Sequence, residues 1–99
     1  MIYVVATLTI LPDHREPFLA GARACIAATR AEEGCLAYDL HASVTAPDRY
    51  VYVERWASRD HLVAHSKTEH FRTWRKVSGP CLAAPTKIEI ITPETVDTL

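Results

Sequence analysis

The chain has 99 residues, 48% hydrophobic and 23% charged, with a formal net charge of -1. That length holds one domain, residues 1–99, and a chain this small buries only roughly 65% of its unfolded surface, so a second copy would be a natural supplement to its core. The composition is that of an ordinary globular protein, and a near-neutral charge argues against nucleic-acid binding, which needs a basic face or stripe.

Cys25, Cys35 and Cys81 are odd in number and widely spaced, with no CxxC pair, so neither a disulfide framework nor a zinc ribbon fits. Reduced thiols in a cytoplasmic protein are the expectation. The opening MIYVVATLTI is too short to span a bilayer and lacks the flank and cleavage site of a signal peptide, so no membrane association is expected.

Ile2 to Ile10 is apolar except at Thr7 and Thr9, the pattern of a strand with two covered faces. A helix then starts near Asp13, with Asp13 and Glu16 at capping-box spacing and Pro17 tolerated in the first turn. Phe18, Ala22, Cys25, Ile26 and Thr29 form its apolar stripe, Glu33 lies on its polar side, and Gly34 suits a left-handed stop. Leu36, Tyr38, Leu40 and Ala42 alternate with Ala37, Asp39 and His41 in a second strand. A turn over residues 43–48 leads to a third strand from Arg49 to Ala57, which puts Tyr50, Tyr52, Glu54 and Trp56 on one face.

Ser58 and Thr68 read as N-caps of two short helices, about Arg59 to Ser66 and Glu69 to Val77, the second with Phe71, Trp74 and Val77 as its stripe. A last strand runs from Thr86 to Thr92. The order strand, helix, strand, strand, helix, strand predicts an α+β ferredoxin-like βαββαβ fold, an antiparallel sheet with helices on one face. The other face stays apolar on alternate residues, either Ile2, Val4, Ala6 and Leu8 or Tyr3 and Val5, and a patch of that kind marks an interface.

Candidate chemistry gathers between Tyr50 and Trp74. His61 and His65 stand four apart with His70 nearby, but HLVAH lacks a metalloprotease glutamate, and the break before Thr68 is expected to turn His70 away. An inward His65 and a surface His61 are therefore preferred to a metal site. Glu54, if buried beside Trp56, needs a polar partner, and His65 is the candidate. Such a pair would make a proton acceptor of the imidazole, or simply lock helix to sheet. No nucleotide, flavin or phosphate motif occurs.

The runs Glu33-Gly34-Cys35-Leu36-Ala37-Tyr38-Asp39-Leu40, Val53-Glu54-Arg55-Trp56, Leu62-Val63-Ala64-His65 and Thr68-Glu69-His70-Phe71 resemble the antibiotic biosynthesis monooxygenase family, especially its small quinol-monooxygenase-like members. The resemblance implies a homodimeric α+β barrel and a pocket between sheet and helices. It also implies oxidation of a small aromatic quinol or phenol by O2 without metal, flavin or haem. By analogy Trp56 walls the pocket, His65 is the base or proton relay and Glu54 orients it, with His70 and Phe71 beside the substrate. Strand alternation adds Tyr38, His41 and Tyr52 as substrate contacts. The competing readings are an isomerase of a phosphorylated signalling sugar, with Lys67, Arg72 and Lys87 as candidate cations, and a non-catalytic small-molecule-binding domain. Haem degradation fits less well, since those relatives use an asparagine in the first strand and this chain has no asparagine.

Overall fold

A computed structural model describes all residues from Met1 to Leu99. Four antiparallel strands, β1 (Ile2–Thr9), β2 (Cys35–Ala42), β3 (Arg49–Trp56) and β4 (Lys87–Ile91), lie in the order β2-β3-β1-β4. Three helices, α1 (Arg15–Thr29), α2 (Arg59–Ser66) and α3 (Glu69–Ser78), pack on one face. This is the expected ferredoxin-like arrangement, with the most apolar strand, β1, between β3 and β4. No helix is long and apolar enough to cross a membrane.

Period two sorts the sheet cleanly. Ile2, Val4, Ala6 and Leu8 of β1 and Tyr50, Tyr52, Glu54 and Trp56 of β3 are buried beneath the helices. Opposite them on α1, Phe18, Ala22, Cys25 and Thr29 are buried at helical spacing. Phe18 ties the layers together, its ring centroid 5.2 Å from both Tyr50 and Trp74. The other sheet face, with Tyr3, Val5, Thr7, Val51 and Val53, is covered by no element of the chain.

Three local expectations are corrected. A single 3-10 turn over Pro12–His14 precedes α1, whose N-cap is His14 with no side-chain cap bond, so Asp13 and Glu16 form no capping box. Asp13 instead accepts a hydrogen bond from the neighbouring His14 ring at 3.3 Å. The helix ends at Thr29, short of Glu33, and Gly34 (φ 82°) closes a separate turn. A register irregularity between Cys35 and Ala37 then rolls Leu36 outward, leaving it 50% exposed.

The break between α2 and α3 is built as the sequence predicts. Ser58 Oγ accepts from His61 N–H and Thr68 Oγ1 from Phe71 N–H, each at 3.3 Å. Thr68 also spans the break, donating its hydroxyl to the His65 carbonyl at 2.8 Å. Lys67 and Thr68 are thus the only two residues between the helices, and both ends are pinned.

Candidate functional site

A cavity of about 630 Å³ lies between the sheet and the α2–α3 layer. Its floor is apolar: Val4, Ala6 and Leu8 from β1, with Ile88 and Ile90 from the edge strand β4. Leu62, Val63, Phe71 and Trp74 from the helices face them. Into this apolar space the chain places few polar groups, chiefly Glu54 and His65, with Arg59, Ser66 and Arg75 on the helical side. An apolar cleft with a few convergent polar groups is the ordinary form of a small-molecule site.

His65 is 2% exposed and sits on the last turn of α2. Its Nδ1–H donates to Glu32 Oε2 at 2.6 Å, and His70 Nε2–H donates to the same oxygen at 2.7 Å. With Nδ1 committed, Nε2 is the ring nitrogen left without a protein partner. Burial lowers the His65 pKa below the usual 6.5, against the opposing pull of Glu32, so the ring is neutral at pH 7. A neutral imidazole whose tautomer is fixed by a carboxylate is a ready proton acceptor. The rings of Trp56 and Phe71 hold it in place, with centroids 4.9 and 4.8 Å away.

Glu32 reaches His65 because of Gly34. The left-handed glycine lets the chain turn sharply after α1, Cys35 N–H bonding the Glu32 carbonyl at 3.2 Å and Ala57 N–H bonding the Gly34 carbonyl at 2.8 Å. A Cβ at Gly34 would lie 2.2 Å from His61 Cγ, so only glycine passes beneath that ring.

Glu54 points inward as predicted, but its partner is not His65. Trp56 Nε1–H, two residues along the same strand face, donates to Glu54 Oε1 at 3.0 Å. Burial pushes the carboxyl up to about 7; the indole bond opposes this and the charge of Glu32 adds to it. The unfolded carboxyl titrates near 4.5, so between about 4.5 and 7 the native chain holds a proton that the unfolded chain releases. Stability from this group is therefore complete below 4.5 and falls as pH rises through 7, by on the order of 3 kcal/mol. His65 runs the other way, its contribution complete above 6.5 and lost on acidification, and it cancels when two variants are compared. Glu54→Gln should accordingly match the parent chain in Tm near pH 4.5 and exceed it by at least several degrees at pH 8.5. A Tm difference independent of pH would contradict the burial argument.

Of the residues singled out in the sequence, Glu54, His65, Tyr38, Tyr52 and Phe71 line the cavity. Tyr52 brings a buried hydroxyl with no hydrogen-bond partner. Three do not line it. Trp56 is 0% exposed and packs behind His65, so it backs the imidazole instead of walling the cavity. His41 pairs with Val51 on the uncovered sheet face, out of phase with Tyr38. His70 meets Glu32, so the helix break turns it toward His65 and not away from it. The cavity arginines are Arg59 and Arg75; Lys67, Arg72 and Lys87 are not part of it.

Glu32 and the two arginines were not foreseen. Trp74 was legible as one stripe of α3, but stripes do not distinguish a packed core from a cavity wall. Glu32 had one available signal, a carboxylate two residues before a turn glycine and beside an imidazole-rich helix pair.

Comparison with known proteins agrees with this geometry. Residues 1–77 match the family model described as Antibiotic biosynthesis monooxygenase. The chain is 33% identical over 85 residues to YcnE of Bacillus subtilis, provisionally named a monooxygenase, covering 86% of this chain and 90% of that one. It is 33% identical over 92 residues to Rv0793 of Mycobacterium tuberculosis, named in the same provisional way, covering 93% of this chain and 90% of that one. The solved Rv0793 structure superposes with a TM-score of 0.91 at 32% identity over 98% of each chain. Against the uncharacterised Synechocystis protein sll1783, 30% identical over 89 residues, 90% of this chain is matched but only 60% of that longer protein. With the β2-β3-β1-β4 sheet, its one helical face and the matched profile all in agreement, the chain belongs to the antibiotic biosynthesis monooxygenase family.

Proposed function

We propose that this protein is a monooxygenase that oxidises a small aromatic quinol or phenol-type substrate with O2, using His65 as its base. The observation that carries the reading is the Glu32–His65 pair, which leaves the imidazole Nε2 as acceptor beside an apolar cavity of about 630 Å³. An anthrone or naphthoquinol supplies its own electrons once deprotonated. His65 takes the proton, the resulting carbanion adds O2 to give a carbon-bound peroxide, and the O–O bond then breaks as the C–H proton left on that carbon is lost and the first proton returns to the departing oxygen. One oxygen atom stays as a carbonyl, or as the enol hydroxyl that is its tautomer, and the other leaves with both protons as water. The protein's part is to hold the substrate, exclude solvent and move its protons. Glu54, held by the Trp56 indole, is the second polar group at the substrate, and Tyr38, Tyr52 and Phe71 supply aromatic wall.

The deciding experiment is oxygen uptake by metal-free protein in air with anthrone and reduced naphthoquinones. Uptake above the buffer rate with a product that has gained one oxygen atom, anthraquinone from anthrone or a hydroxynaphthoquinone from the naphthoquinol, supports the reading, and identical rates with and without protein across the series would sink it. A second reading, isomerisation of a phosphorylated sugar, is favoured by one observation, Arg59 and Arg75 on the same cavity. Turnover of such a sugar with no oxygen consumed would select it.

We further propose a homodimer joined through the uncovered sheet face, where Tyr3, Val5, Val51 and Val53 stand clear of the chain's own helices. Gel filtration is expected at twice the 11.1 kDa chain mass, and a monomer at micromolar concentration would contradict it. A reducing, cytoplasmic setting fits the three free cysteines.

A further inference from the structure

We propose that Glu32, His65 and His70 form a binding site for a divalent transition-metal ion of the zinc or cobalt kind, and that occupancy switches the cavity imidazole off. Their ligand atoms, one carboxylate oxygen and two ring nitrogens, lie within 4.8 Å of one another. Two imidazoles and one carboxylate with a further position open to water is a favoured donor set for zinc. The residues come from three separate segments, the turn after α1, the end of α2 and the start of α3. Gly34 sets the first, and the Thr68 caps set the other two.

The geometry is tighter than a coordination shell at the carboxylate and wider between the two rings. Glu32 Oε2 is 2.6 Å from His65 Nδ1 and 2.7 Å from His70 Nε2. Ligands about 2.1 Å from a tetrahedral zinc stand roughly 3.4 Å apart, so the carboxylate must retreat by less than about 1 Å and the two ring nitrogens, up to 4.8 Å apart, must close by about 1.4 Å through side-chain torsions. Access exists from the outer side, where the Glu32 and His70 side chains are 13% and 27% exposed while His65 is closed off. Acid competes with binding, since both imidazoles must be neutral to ligate.

Ligation rearranges two protons without releasing either. His65 Nδ1 and His70 Nε2 now carry hydrogen toward Glu32; as ligands they must give it up, and each neutral ring takes it back on its other nitrogen. For His65 that nitrogen is Nε2, the one left free beside the cavity. The ion therefore turns the cavity nitrogen from an acceptor into an N–H donor. This consequence rests on the proposed role of His65 as base; the binding site itself does not.

The test uses metal-free full-length protein titrated with Zn2+ by calorimetry and with Co2+ by visible absorption. One ion per chain is expected, with a Co2+ spectrum of mixed nitrogen and oxygen ligation. His70→Ala and Glu32→Gln should each weaken binding about tenfold or more. His61→Ala, a half-buried imidazole bonded to Ser58 Oγ at 2.8 Å and not to Glu32, should leave it unchanged. His70→Gln serves if the alanine variant fails to fold. No binding by the parent chain up to millimolar metal, binding unaffected by His70→Ala, or binding lost in His61→Ala alone would each overturn the site. Where oxygen uptake is measurable, Zn2+ should suppress it in the parent chain, and a chelator should restore it. If no substrate is oxidised at all, the calorimetric and spectral results still decide the metal site.

Discussion

His65→Ala should lower protein-dependent oxygen uptake by about 10²–10⁴-fold, the usual worth of a positioned general base. The side chain is buried, oriented by Glu32 and clasped by Trp56 and Phe71, so removing it takes away the acceptor without touching the cavity floor. The loss should fall on kcat more than on KM, because the apolar surfaces that hold an aromatic substrate remain. Glu32→Gln should cost less than His65→Ala, since an amide can still accept from Nδ1–H but without the charge. The acid limb of the parent chain's kcat/KM profile should lie below the ordinary imidazole value of 6.5, because burial favours the neutral ring. An unchanged rate in His65→Ala, with the fold verified by circular dichroism, would remove His65 from the mechanism and leave Glu54 as the only other proton acceptor at the cavity.

Trp56→Ala should be the most damaging single substitution for stability. The indole is fully buried, packs on His65, stands edge-on to Tyr38 with centroids 6.3 Å apart, and is the hydrogen-bond partner of Glu54. Deleting a buried tryptophan costs about 3–5 kcal/mol from transfer and cavity effects alone. Here the Glu54 carboxyl also loses its donor, which raises the cost further above pH 7. Small domains hold only about 5–15 kcal/mol in total, so the variant should be partly unfolded at room temperature. Trp56→Phe keeps most of the volume and isolates the lost hydrogen bond, about 1–3 kcal/mol. Urea titration followed by circular dichroism measures both; a Trp56→Ala penalty below about 1 kcal/mol would show that the indole is not structural.

The elements were readable because each carries its own period or punctuation. Alternation in β3 put Glu54 and Trp56 on the buried face, and Ser58 and Thr68 announced their helices through hydroxyls that do cap them. The same alternation also spoke against His41, which lies on the opposite phase of β2 from Tyr38; proposing both as substrate contacts ignored that parity. Partnerships were less accessible. Period two shows that Glu54 is buried but not which donor reaches it, and the indole two residues away was nearer than any helix. Glu32 was hidden by the length assigned to α1: read as helical to Glu33, it belonged to a solvent face, whereas the helix stops at Thr29 and the following turn folds it inward. A burial pattern, finally, cannot tell a filled core from a hollow one. That is why Trp56 and Trp74 exchanged roles.

The two-residue joint at Lys67 and Thr68 also acts as a spacer of fixed gauge. On an unbroken helix, side chains five apart diverge by roughly 140°, and His65 and His70 could not meet on one carboxylate oxygen. Surface connections usually tolerate added or deleted residues at little cost. At this joint a change of a single residue would swing one imidazole off Glu32 while leaving both helices and the sheet intact, so the chain could keep its shape and lose the junction between its two layers of histidine chemistry.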